Sequence, residues 1–90
     1  MAHVNRSKKK LLTRVRRVAG QVAALERALE SDADCNDVLI QIAAAKGAMH
    51  GLMMEVLTGH LAEHVVAESS SAKRAQEANT IIELLKGYAK

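Results

Sequence analysis

The stretch Thr58-Gly-His-Leu-Ala-Glu-His64 sets two imidazoles four positions apart, with a carboxylate beside the second. On a helix, residues four apart share a face, so His60 and His64 can both reach one metal ion. The order His-x-x-Glu-His is also the inverzincin protease signature, so a hydrolytic zinc site stands beside a metal sensor as a reading of the pattern. The other candidate ligands are His3 and Cys35. Thiolate and imidazole donors suit late first-row divalent ions, including cobalt, nickel, copper and zinc.

These residues need elements to position them, and the chain offers only helices. It has 90 residues, one small domain at most, with 49% hydrophobic residues and neither Phe, Trp nor Pro. Leu11, Val15, Val18, Val22, Leu25 and Leu29 recur at spacings of four and three. That seam predicts a first helix from about Arg6–Ser7 to Leu29–Glu30. Ser31-Asp-Ala-Asp concentrates capping side chains and predicts a stop and restart. A second helix is expected from about Asp34 to Val65 or Val66, with Leu39, Ile42, Met49, Met53 and Val56 as its apolar face. Ser69-Ser-Ser marks another break, and a last helix covers roughly Ala72 to Ala89. No segment alternates as a strand does. The expected fold is all-α: a single domain over residues 1–90, built as a three-helix protomer with a long central helix.

That central helix restricts the metal reading. Cys35 and His60 lie 25 positions apart, roughly 37 Å along a continuous helix at about 1.5 Å per residue. One ion cannot span this, so a shared site takes its ligands from two chains. An antiparallel pair of second helices brings Cys35 of one copy beside His60 and His64 of the other. The crossing point then falls near Gly47, where Gly47 and Gly51 form a G-x-x-x-G that allows close approach of a helix. So short a chain also buries limited apolar surface alone. The protease reading fares poorly by comparison, because a catalytic zinc needs a third ligand, an open position and a cleft. No enzyme activity is expected. His50, away from the ends of this helix, reads as structural.

Charge is distributed unevenly. The net charge is +3, yet from Met1 to Leu25 there is no acid, while Arg6, Lys8, Lys9, Lys10, Arg14, Arg16 and Arg17 fall within that stretch. Lys10, Arg14, Arg17 and Gln21 form one helical stripe, and Lys46 stands alone on the second helix. Local salt bridges cannot account for the stripe. Contact with phosphate can. Near-absence of aromatics disfavours RNA recognition by stacking, and the acidic helix break disfavours a helix-turn-helix. The expected partner is DNA, met by a basic face. The single cysteine, the missing secretory segment and the lack of a long apolar run point to a cytoplasmic protein without a membrane partner.

Three segments carry a resemblance: Lys9-Lys-Leu-Leu-Thr-Arg-Val-Arg-Arg-Val-Ala-Gly-Gln21, Ile40-Gln-Ile-Ala-Ala-Ala-Lys-Gly-Ala-Met-His-Gly-Leu-Met-Met54, and Gly59-His-Leu-Ala-Glu-His64. Together they resemble the small all-helical bacterial repressors of the CsoR/RcnR/FrmR type along nearly the whole chain. The resemblance implies a homotetramer, formed as a dimer of antiparallel dimers. It implies that the metal-free protein binds operator DNA and that an inducer releases it. Copper sensors of this family carry a Cys-His-Cys set, whereas here His64 stands in place of the second cysteine. Formaldehyde sensors typically carry proline as residue 2, whereas here it is Ala2. The nickel–cobalt branch is the most similar, and it implies Ni(II) or Co(II) as inducer, with Zn(II) as a further candidate. On that pattern the ligands are His3, Cys35, His60, His64 and the amine of Ala2 freed by loss of Met1. Glu63 is then a partner for an imidazole, and Lys10, Arg14, Arg17 and Lys46 face DNA. The family usually has Arg at the Lys46 position and Asn at the His50 position. Two alternatives are a formaldehyde-responsive repressor using the N-terminal amine and Cys35, and a zinc-binding protein that never meets DNA.

Overall fold

The computed structural model describes the backbone of residues 2–88 and the side chains of residues 4–88. Its regular elements are all helical: α1 (Ala2–Arg6), α2 (Lys8–Glu30), α3 (Cys35–Leu61) and α4 (Ser71–Tyr88), with a π-helical turn over Ala62–Val66 continuing α3. The three long helices fall within a few residues of their expected bounds. The short α1 is additional. It is separated from α2 by Ser7, whose φ of −100° and ψ of 11° leave the helical range.

The breaks follow from local chemistry. After α2, Asp32 takes a φ of 57°. The Ala33 N–H donates to the Ala28 carbonyl at 2.9 Å and the Asp32 N–H to the Leu29 carbonyl at 3.4 Å. This is a Schellman closure with Asp where Gly is usual, and the short Asp side chain tolerates the left-handed conformation. Asp34 then starts α3, its Oδ1 accepting the Asn36 N–H at 3.0 Å and its carbonyl accepting the Val38 N–H at 3.1 Å. Ser70 starts α4 in the same manner, with Oγ accepting the Lys73 N–H at 3.3 Å. Such caps satisfy N–H groups that a helix start leaves without partners.

The chain divides into two compact units, residues 1–55 and 56–90. The buried hydrophobic residues of the first are Leu11 and Val18 on α2, and those of the second are Leu57 on α3 and Ile81 on α4. Among the described residues no side chain is fully buried, while Val15, Val22 and Leu29 on α2 and Leu39, Ile40 and Ile42 on α3 are all exposed. These residues give α2 and α3 exposed apolar positions. No helix is long and apolar enough to cross a membrane.

Candidate metal centre and nucleic-acid interface

The histidine pair forms as the spacing predicts. His60 is the penultimate residue of α3, and His64 lies in the π-helical turn. Their ring centroids are 4.6 Å apart, with the planes tilted by 45°. The π turn is closed by the Ala67 N–H donating to the Ala62 carbonyl at 3.0 Å, an i→i+5 bond that adds one residue to the turn. Such turns recur at functional sites.

A carboxylate from the next helix meets this pair. His60 Nε2 lies 2.9 Å from Glu77 Oε2 on α4, and both side chains are half-buried. An ionised carboxylate only accepts hydrogen bonds, so with Glu77 ionised the His60 Nε2 carries the proton. In a neutral ring Nδ1 is then the nitrogen with a lone pair, the atom able to bind a metal. The sequence suggested Glu63 for this task, and Glu63 is half-buried in the π-helical turn; Glu77 is a further carboxylate, on His60.

Cys35 is the first residue of α3, an exposed free thiol placed by the Asp34 cap. The donor set of one thiol and two imidazoles fits a late first-row divalent ion. Among the described residues of one chain, no three His, Cys, Asp or Glu side chains gather to hold such an ion. The side chain of His3, and Ala2 beyond its place in α1, lie outside the described residues. His50 is exposed on α3.

The basic stripe also meets a carboxylate. Lys10 Nζ lies 2.9 Å from Glu55 Oε1, and Arg14 Nη2 lies 3.9 Å from Glu55 Oε2. The hydrogen bond from Lys10 and the Lys10 charge hold the Glu55 carboxyl below its ordinary value, against an opposing effect of burial and with a lesser contribution from the Arg14 charge. Two of the four expected DNA-facing cations thus have an internal partner. Arg17 and Lys46 are exposed and make no ion pair among the described residues. The G-x-x-x-G also acquires a neighbour that its spacing alone does not disclose. A Cβ at Gly51 would stand 3.1 Å from Arg14 Nη1, whereas one at Gly47 would meet nothing within 4 Å. Gly51 makes room for a guanidinium.

Neither Glu55 nor Glu77 was singled out from the sequence, although a signal existed for each. Glu55 continues the four-residue period of Gly47 and Gly51, which sets it on their face. Glu77 lies one helical turn before the buried Ile81, which turns it inward.

Comparison with known proteins agrees with this geometry. The profile of a family described as metal-sensitive transcriptional repressor matches residues 7–87. The chain is 44% identical to the transcriptional repressor RcnR of Salmonella paratyphi B, and 50% identical to an uncharacterized protein in the bioA 5' region of Serratia marcescens. Both matches span the whole of this chain and of the relative. Among solved structures, it is similar to a glutamate-to-histidine variant of the formaldehyde-responsive regulator FrmR from Salmonella enterica serovar Typhimurium. That match has 49% identity and a TM-score of 0.83, and covers 92% of this chain and 94% of the other.

Proposed function

The chain belongs to the metal-sensitive transcriptional repressor family, and from that premise we propose that it is a nickel- or cobalt-responsive repressor. Its metal-free form holds operator DNA; its metal-bound form lets go and derepresses efflux or resistance genes. The observation that carries this reading is the His60–His64 pair, with rings 4.6 Å apart and one ring oriented by Glu77. Metal-binding histidines commonly donate their second N–H to a carboxylate in this way.

The ligands are Cys35 of one protomer with His60 and His64 of another, joined by His3 and the amine of Ala2. Cys35 opens α3 and His60 stands next to its end, so two antiparallel copies of α3 bring these groups together twice, as a twofold axis requires. The exposed apolar seam of α2 and α3 supports such a dimer and its pairing into a tetramer. Lys10, Arg14, Arg17 and Lys46 hold DNA phosphates, and lengthened over a tetramer they form a continuous positive face. A divalent ion, when bound, supplies the difference in free energy between the DNA-competent and released states. About 1–3 kcal/mol of coupling changes DNA affinity by roughly 5- to 150-fold. Zn(II) suits the same donors, and selection among these ions follows their availability as well as their affinity.

A second reading has its own support. The likeness to a formaldehyde-responsive regulator and the exposed Cys35 thiol favour a formaldehyde-responsive repressor, in which the N-terminal amine and Cys35 share the aldehyde. The deciding experiment is fluorescence anisotropy of the reduced, metal-free protein on DNA from upstream of its own gene. Nickel, cobalt, zinc and formaldehyde are added in separate titrations. Release by nickel or cobalt, lost in His64→Ala, is the expected result. Release by formaldehyde alone, retained in His64→Ala, establishes the second reading. Metal binding without any salt-dependent DNA binding leaves a zinc-binding protein and overturns both.

A further inference from the structure

From Met1 to Leu25 the chain carries no acid, so α2 has none of its own beside Lys10 and Arg14. Glu55 of α3 supplies one. Its two oxygens are divided between the two cations: Oε1 lies 2.9 Å from Lys10 Nζ, and Oε2 lies 3.9 Å from Arg14 Nη2. On its own helix, the residues one turn away are Gly51, Leu52, Thr58 and Gly59, none of them charged. Lys10 and Arg14 are therefore the cations that meet this carboxylate among the described residues.

Stability alone is a weak reason for the contact. The Lys10 side chain is 62% exposed, and pairs this open contribute little to a fold. Their effect on what the cations can bind is larger. A carboxylate spreads one negative charge over two oxygens, and so does a backbone phosphodiester of DNA. Both take charge-assisted hydrogen bonds from the same ammonium and guanidinium donors. A phosphate that approached Lys10 and Arg14 with Glu55 still in place would set two anions against the same cations, and their like charges repel.

We propose that Glu55 is an autoinhibitory carboxylate, which occupies Lys10 and Arg14 in the free protein as an internal stand-in for a phosphodiester and is displaced from them when DNA binds. The proposal rests on the repressor function given above, and adds to it an acid that opposes binding. The ion pair is regained as DNA leaves, so it favours the released state. It also sets a threshold. A lone anion displaces Glu55 for little gain, whereas a duplex that reaches Arg17 and Lys46 as well recovers the loss over several contacts.

The test uses the full, metal-free chain and two readouts. The first is anisotropy on DNA from upstream of its own gene, at several salt concentrations and between about pH 7 and pH 5. It compares the parent with Glu55→Gln and with Glu30→Gln, which removes the same charge from an exposed position at the end of α2. The second is carbon-13 NMR of the Glu55 carboxyl, titrated with and without DNA. In the free protein this carboxyl lies below its ordinary 4.5, chiefly through the hydrogen bond from Lys10. Once displaced and beside phosphates, it should titrate at or above that value. Binding then takes up a proton as pH falls through the bound-form value, and the parent gains affinity relative to Glu55→Gln.

Glu55→Gln is expected to bind DNA about two- to five-fold more tightly near neutral pH at low salt. That gain should shrink as salt rises and as pH falls, with no such pattern in Glu30→Gln, and the Glu55 carboxyl should titrate higher in the complex. Equal affinities of Glu55→Gln and Glu30→Gln, with the carboxyl at one low value in free and bound protein, overturn the proposal and leave the repressor reading intact. Weaker binding by Glu55→Gln also overturns it, because Glu55 would then hold the cations toward DNA. No salt-dependent DNA binding by either the parent or Glu55→Gln overturns the repressor reading itself, and this proposal with it.

Discussion

The basic stripe in residues 1–55 and the histidine pair in residues 56–90 are built alike. In each, a carboxylate from a neighbouring helical stretch holds nitrogen donors: Glu55 for Lys10 and Arg14, Glu77 for His60. They differ in what the carboxylate leaves available. Lys10 and Arg14 have only donors, so Glu55 occupies the groups that a phosphate would use. An imidazole has two different nitrogens. Glu77 takes one and orients the other. Under the proposed function, one acid competes with the ligand and the other prepares for it.

The strongest way to break this comparison is to remove ligands at the histidine end. His64→Ala and Cys35→Ser should each weaken nickel or cobalt affinity by more than about 100-fold, beyond the cost of losing an outer partner. Metal-free DNA binding should persist in both, measured by metal titration and anisotropy. Loss of DNA binding in His64→Ala would show that the two ends are not separable.

Glu77→Gln sharpens the claim that this carboxylate prepares the ring. Metal affinity should fall by about 10- to 100-fold, the range usual for a group that orients a ligand from behind. DNA affinity without metal should not move. An unchanged metal affinity would reduce the Glu77 contact to packing.

Arg17→Ala and Lys46→Ala test the opposite region. Each should weaken DNA binding across sequences alike and lower the salt slope by about 0.9 per phosphate left unneutralised, with metal affinity constant. A sequence-selective loss would instead mark a base contact.

Glu55→Gln should give the smallest effect, and one of opposite sign. Freeing Lys10 and Arg14 should raise DNA affinity a few-fold at low salt, with the gain shrinking as salt rises. Stability follows from the lowered Glu55 value. A carboxyl whose folded pKa is depressed contributes above its ordinary value of 4.5, and the contribution is lost as pH falls through the lower folded value. The parent should therefore melt slightly above Glu55→Gln near neutral pH, and the two should converge in acid. Because the pair is partly exposed, the gap should be small.

The sequence resolved local features better than distant ones. Capping residues marked the breaks at Ser31–Asp34 and near Ser70, because a cap acts on N–H groups two or three positions away. His60 and His64 met as expected, because helical period alone sets their separation. Glu55 and Glu77 were missed because each meets its partner on another helical stretch, 45 and 17 positions away for Lys10 and His60. No period connects such pairs before the fold is known. Gly51 illustrates a third limit. A glycine announces that something comes close without saying what, and here it is an arginine side chain of the same chain. The π-helical turn had no local signal at all, since Ala62-Glu-His-Val-Val66 reads as ordinary helix.

That turn constrains which genetic changes the histidine end tolerates. A π turn is an α-helix carrying one extra residue, so it is equivalent to a single-codon insertion that the helix absorbed. Removing Val65 or Val66 lets the segment relax to an α-helix while the residues that follow keep nearly their phase, because the wide turn uses about five residues where an α-helix uses about four. Removing Ala62 instead shortens the step between His60 and His64 by one residue. The first kind of deletion should spare metal response, and the second should weaken it although every ligand codon is intact.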